Sequence, residues 1–154
     1  GAYGEHDKAL ARFCNNFKRL SPSAQSRLTV ENDDRQSMFS TKMLYDGVSR
    51  HIGVPIVFDS HHHDLGPQDL DYHDAFHLAR QTWDVRGVKQ QCHHSNSRKD
   101  YEDSSVKATA HSDWYYTPFE AYGKHVDVVL ECKKKEQALF KYREDFQKKI
   151  LTAA

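Results

Sequence analysis

The sequence predicts an α/β fold of four parallel strand-helix units. Three observations carry this. Short apolar runs alternate with stretches of helical periodicity, which is the pattern of a parallel sheet covered by helices. The run at 54–58 is continuously apolar, as expected of a strand buried on both faces. Each run also ends on a residue able to bind a metal, and strand ends are where parallel α/β folds build their sites. Four such units are half of an eight-unit barrel; a small open doubly wound sheet is the other closed solution.

The elements follow in order. A helix is expected over 5–20, where Leu10, Phe13, Phe17 and Leu20 recur at helical spacing and Ser21-Pro22 stops the run. Strand one is placed at 27–31, with Leu28 and Val30 apolar, ended by Asn32-Asp33-Asp34. Ser40 or Thr41 caps a helix running to His51, and Gly53 stops it. Strand two follows at 54–58 and ends at Asp59. Residues 60–70 are read as a loop with a Gly66-Pro67 turn, and 71–83 as a helix with Phe76 and Ala79 inward. Strand three is placed at 88–93, followed by a long polar loop over 95–109 and a short helix at 119–124. Strand four is the β-branched run 126–130. The last helix is expected over 133–150, with Ala138, Leu139, Tyr142 and Phe146 on one face.

Composition narrows the function classes. The chain has 154 residues, 38% hydrophobic and 29% charged, with 22 basic and 22 acidic side chains. That suits one globular domain and excludes disordered or membrane-spanning character. A neutral balance does not suit a pure phosphate-backbone binder, but an enzyme that offsets phosphates with bound cations needs less basic protein. Cys14, Cys92 and Cys132 are too widely spaced for a thiolate zinc site, and an odd count with no secretory signal points to a reducing, intracellular compartment: cytoplasmic, or nuclear in a eukaryote. The opening residues already approach a helix, so the chain reads as a piece of a longer protein. Eleven histidines are the anomaly; imidazole is the commonest metal ligand.

The strands end on Glu31, Asp59, His93 and Glu131. Four different strands delivering Glu, Asp, His and Glu to one rim form a constellation suited to two or three cations held by shared carboxylates and imidazoles. The tract His61-His62-His63 follows strand two directly. If Asp59 points into the barrel mouth, its three imidazoles fan apart, so at most one or two share its metal. Cys92 and Cys132 neighbour proposed ligands and alternate toward packing. The lysines at 133–135 read as a solvated helix start. Trp114, Tyr115 and Tyr116 look exposed, with core packing or base stacking as the alternatives.

Five segments resemble the UV damage endonuclease family: RLTVENDD (27–34), GVPIVFDSHHHD (53–64), HHSNSR (93–98), AHSDWY (110–115) and DVVLECKKKEQAL (127–139). The opening GAYGEHDKALARF is similar to the family segment after a metal-binding histidine. The resemblance covers nearly the whole chain and implies a single domain over 1–154, the C-terminal half of a TIM-like barrel. It implies incision of damaged double-stranded DNA on the 5′ side of UV photoproducts, with divalent ions, usually Mn2+. By position, Glu31 and Asp59 resemble bridging carboxylates, His93 and Glu131 the ligands of a shared ion, and His62 and His111 the imidazoles of a neighbouring ion. Glu31, Asp59 and Glu131 are thereby the expected catalytic set. Gln91 stands where the family carries a lysine, often carboxylated, and a glutamine cannot be carboxylated. The N-terminal barrel half, with two further histidines and a Gln-Tyr probe of distorted DNA, is missing. The expected partners are therefore damaged duplex DNA and either a second copy or that missing half, with no membrane. The competing readings are a sugar isomerase or epimerase with a similar metal barrel, and a metal-binding half-barrel without catalysis.

Overall fold

In a computed structural model, residues 2 and 4–147 are described; the end of the expected last helix, 148–150, lies outside them. The order is α1 (His6–Phe17), α2 (Pro22–Arg27), β1 (Val30–Glu31), α3 (Thr41–Leu44), a π-helical turn (Tyr45–Ser49), α4 (Arg50–Ile52), β2 (Ile56–Asp59), α5 (Ser60–Leu65), α6 (Tyr72–Asp84), β3 (Gln91–His94), α7 (Arg98–Tyr101), β4 (Asp127–Leu130) and α8 (Lys135–Tyr142), which continues as a π turn (Arg143–Gln147). The four strands lie in sequence order and every pair is parallel. This is the α/β arrangement of a partial barrel.

Several boundaries differ from expectation, each for a local reason. Ser21-Pro22 ends one helix and starts another. Ser21 Oγ accepts from the Ala24 N–H, and Pro22 occupies a first-turn position where its missing donor costs nothing. The helix α2 takes residue 27 away from the first strand, which keeps only Val30 and Glu31. Strand three starts later, at Gln91, and runs one residue further, to His94. The 60–70 segment opens with α5 rather than loop, because the Asp59 carboxylate accepts from the His62 N–H as a helix N-cap. At 119–124 there is a turn, not a helix: Tyr122 and Gly123 take positive φ, 49° and 69°, which a right-handed helix excludes.

Alternation divides the sheet. Ile56, Phe58 and Cys92 face the helices and are fully buried with Val54, Phe76 and Ala79. Helix α6 is fixed to this side by two polar clasps at the start of β2. Thr82 Oγ1 accepts from the Ile56 N–H at 2.9 Å, and Trp83 Nε1 donates to the Ile56 carbonyl at 2.7 Å. The third unit has only the four-residue α7. A smaller cluster of Tyr115, Cys132, Ala138 and Tyr142 packs beside β4 instead. All three cysteines are free and buried, as expected for Cys92 and Cys132. The other face of the sheet carries Glu31, Asp59, Gln91 and His93, by the pairings Glu31 with Val57, Asp59 with His93 and Gln91 with Asp127.

Candidate metal centre

The C-terminal ends of the strands bring Glu31, Asp59, His93 and Glu131 together, and α5 and the 95–117 segment add His62 and His111. Glu31 Oε1 lies 3.2 Å from His62 Nδ1 and 3.3 Å from His93 Nδ1. His93 Nδ1 is also 3.4 Å from Glu131 Oε1 and 4.0 Å from Asp59 Oδ2. His111 Nδ1 is 3.9 Å from Glu131 Oε2. Ligand atoms of Glu31, Asp59 and His93 all lie within 4.8 Å of one another.

Local structure aims each group. Asn32, read from sequence only as a strand breaker, is buried. Its side-chain amide bonds both backbone groups of Asp59, Nδ2 to the carbonyl and Oδ1 from the N–H, each at 2.9 Å. The amide thus extends the β1–β2 ladder by one rung and locks the two carboxylates onto one rim. Its signal in the sequence was only its place beside Glu31. His62 Nδ1 donates to the Asn32 carbonyl at 2.9 Å, and His111 Nδ1 to the Glu131 carbonyl at 2.8 Å. Because a carbonyl only accepts, both rings carry a proton on Nδ1, which leaves Nε2 as the nitrogen able to face a metal.

His111 reaches the rim from an excursion between β3 and β4. A bridge pairs Ser97 with His111, the Arg98 N–H bonds the Ala110 carbonyl, and the Ser112 N–H bonds the Asn96 carbonyl. Glu102 secures the next turn by accepting from the N–H groups of Asp113 and Trp114. Tyr115 is buried, which favours the core-packing alternative for it; Tyr116 is exposed and stacked on Tyr101 with ring centroids 4.6 Å apart. His94 belongs to the helix side of β3. It holds Ser60 Oγ at 2.8 Å and the Thr117 carbonyl at 3.0 Å, joining α5 to the same excursion.

The three tract histidines separate as a helix dictates. His62 enters the carboxylate group, His63 packs on Phe58 and Tyr72, and His61 meets His111 edge to face. Gln91 lies on the rim face of β3 two residues before His93; Lys89 is exposed and paired with Asp127, away from the rim.

The electrostatics are those of a cation site. Asp59 Oδ2 and His93 Nδ1 are buried with no hydrogen-bond partner, although three carboxylates surround the imidazole. Burial pushes the Asp59 carboxyl up, reinforced by the nearby Glu31 and Glu131 charges. Burial opposes ionisation of Glu31 and of His62 as well, yet their mutual contact wins. His62 and His93 hold Glu31 down at about 2, and Glu31 with Asp59 lifts His62 to about 9. Glu31, the nearest carboxylate, likewise raises His93. Such crowding of acceptors and orphaned donor atoms fits ions bound between Glu31, Asp59 and His93.

Comparison with known proteins agrees with this frame. The profile of the UV-endonuclease UvdE family matches residues 1–153. The UV-damage endonuclease of Schizosaccharomyces pombe is 34% identical over 145 residues, covering 91% of this chain and 24% of that protein. A UV DNA damage endonuclease of Bacillus pumilus is 33% identical over 149 residues, 94% of this chain and 46% of its own length. The crystal structure of SacUVDE superposes with a TM-score of 0.76 at 25% identity, covering 96% of this chain and 49% of that one. The chain therefore spans half or less of the length of these relatives, and it belongs to the UV-endonuclease UvdE family.

Proposed function

We propose that residues 1–154 form the C-terminal half of a metal-dependent repair endonuclease barrel, which incises duplex DNA on the 5′ side of UV photoproducts. The single observation carrying the reading is the convergence of Glu31, Asp59 and His93 ligand atoms within 4.8 Å, two of them buried and unpaired, in a chain of this family. Glu31 and Asp59 would hold the ions as shared carboxylate ligands, His93 and Glu131 would be further ligands, and His62 and His111 would offer Nε2. When bound, divalent ions such as Mn2+ activate water and offset charge on the phosphodiester and the leaving 3′-oxygen. The protein's own part is positioning. Asn32 fixes Asp59, the Asn32 and Glu131 carbonyls fix the tautomers of His62 and His111, and burial keeps water away from the unpaired Asp59 oxygen. Gln91 contributes a neutral amide where a carboxylated lysine is expected, so the rim carries one anion fewer.

The test is a nicking assay on irradiated and undamaged plasmid, with Mn2+ and with chelator, using the 154-residue chain and a longer protein carrying both barrel halves. The expected result is weak or no lesion-specific nicking by the 154 residues and chelator-sensitive nicking of irradiated plasmid by the longer protein. Equal cutting of both plasmids, or cutting that survives chelation, overturns the proposal. Conversion of a ketose to an aldose moves the site to isomerase chemistry.

A further inference from the structure

Of the histidine tract, His62 belongs to the carboxylate group and His63 to the aromatic core, which leaves His61 without a role. It is 3% exposed, and its Nε2 is buried with no hydrogen-bond partner. Its ring lies 5.4 Å from that of His111, at 84°, and 6.4 Å from that of His62. In both of those rings Nδ1 is held by a backbone carbonyl, which leaves Nε2 as the nitrogen for a ligand. If packing against His111 were the whole requirement, phenylalanine would serve equally well and would spare the protein a buried, unsatisfied nitrogen. A polar atom kept under those conditions points to a bond made when the site is loaded.

We propose that His61 is a positioning residue of the metal centre. Its ring sets the ring of His111 edge to face, and its Nε2 hydrogen-bonds an oxygen, of solvent or of a phosphate group, brought to the His62–His111 side. Ser60 and the Asp59 cap fix the first turn of α5, so the His61 backbone is as firmly placed as that of His62. The inference rests on the metal-centre reading, and it adds a residue outside the direct ligand set.

The experiment compares the wild-type chain with His61→Phe and His61→Gln in two measurements: melting temperature without metal, and Mn2+ affinity by electron paramagnetic resonance. Outer-shell partners of metal ligands typically contribute roughly 10- to 100-fold in affinity. The expected result is that His61→Phe melts at or above the wild-type temperature yet binds Mn2+ more weakly by about that factor. His61→Gln, whose terminal nitrogen reaches a similar position, should recover part of the loss. If His61→Phe melts lower, the glutamine variant decides: affinity nearer the wild type supports the nitrogen's role, and affinity as weak as the phenylalanine variant's overturns it. Wild-type Mn2+ affinity in His61→Phe overturns the inference while leaving the metal centre standing. A wild-type chain that takes up no Mn2+ overturns both.

Discussion

At the residue scale, the rim is an ion pair that a metal must displace. His62 is lifted to about 9 and Glu31 depressed to about 2 because each stabilises the other's charge against burial. The sign of each contribution to stability follows. The raised His62 adds stability that is complete below 6.5 and lost as pH rises through about 9. The depressed Glu31 adds stability that is complete above 4.5 and lost as pH falls through about 2. Between those limits the metal-free pair is intact, so coordination by His62 near neutral pH must expel its proton. We therefore expect Mn2+ uptake at pH 7 to release protons and to tighten as pH rises toward 9. Titration calorimetry in buffers of different ionisation enthalpy reads this directly, and a heat independent of buffer contradicts it. Glu31→Gln and Asp59→Asn should each abolish Mn2+ binding and, in the longer protein, nicking. A neutral amide cannot bridge two cations, and metal analysis alongside the nicking assay checks both. Glu31, Asp59, His93 and Glu131 lie at strand ends and so were readable from strand patterning, which offered the histidine tract after Asp59 without choosing His62 from it. His111 was not: it comes from the middle of a long polar excursion, and only the family resemblance pointed to it.

At the element scale, long apolar segments were legible and short polar ones were not. Residues 54–58 and 71–83 contain enough periodic burial to declare themselves, and β2 and α6 stand within a few residues of expectation. The elements missed, α2, α5 and α7, are four to six residues long and have no apolar periodicity; α2 and α5 start on side-chain caps, and α7 is a single uncapped turn. Asp59 illustrates the difficulty, since one of its oxygens caps α5 while the other remains free for the rim, two uses that one letter cannot announce. Two predictions belong here. Thr82→Val removes the acceptor of the Ile56 N–H and leaves that donor buried, which should cost about 1–3 kcal/mol by denaturant melt. Metal affinity should stay unchanged, because the clasp sits at the opposite end of β2 from Asp59. At the end of α5, a Cβ on Gly66 would clash with the Asp33 carbonyl oxygen, a backbone atom that cannot turn aside. Gly66→Ala should therefore destabilise the chain by about 1–3 kcal/mol and, by displacing the segment after Asn32, weaken Mn2+ binding too. An alanine variant with both properties unchanged would show that the 31–34 segment yields more freely than its packing implies.

At the scale of the whole molecule, the two faces of the sheet are unequally finished. The helix side is closed, with Ile56, Phe58, Phe76 and Cys92 fully buried. The rim face is buried at Val57 and Asp59 in β2 but open along β4: Val129, paired with His93, is 38% exposed, and Asp127 beside Gln91 is exposed as well. Among the described residues, strands β1 and β4 each have one neighbour, so both edges keep unpaired backbone groups there. A cavity of about 450 Å³ between α1 and β1, lined by Leu10, Phe13, Val30, Met38 and Phe39, adds apolar surface beside one of those edges. In a barrel this face turns inward and the edges join the other half; the match to half of SacUVDE is what such a division looks like. The 154 residues alone should satisfy the same surfaces by self-association, two half-barrels facing each other, at concentrations on the order of tens of micromolar. Because the helix-side core is complete without a partner, association and folding should separate. Val129→Lys places a charge on the open face without touching that core. It should abolish association while changing stability by no more than about 0.5 kcal/mol, the usual range for exposed positions. Sedimentation velocity across a concentration series, paired with denaturant melts at the lowest concentration, tests both halves of the statement. A wild-type chain that remains monomeric throughout would mean that the open face is stable in water, and a Val129→Lys chain that unfolds would mean that the rim face is part of the core.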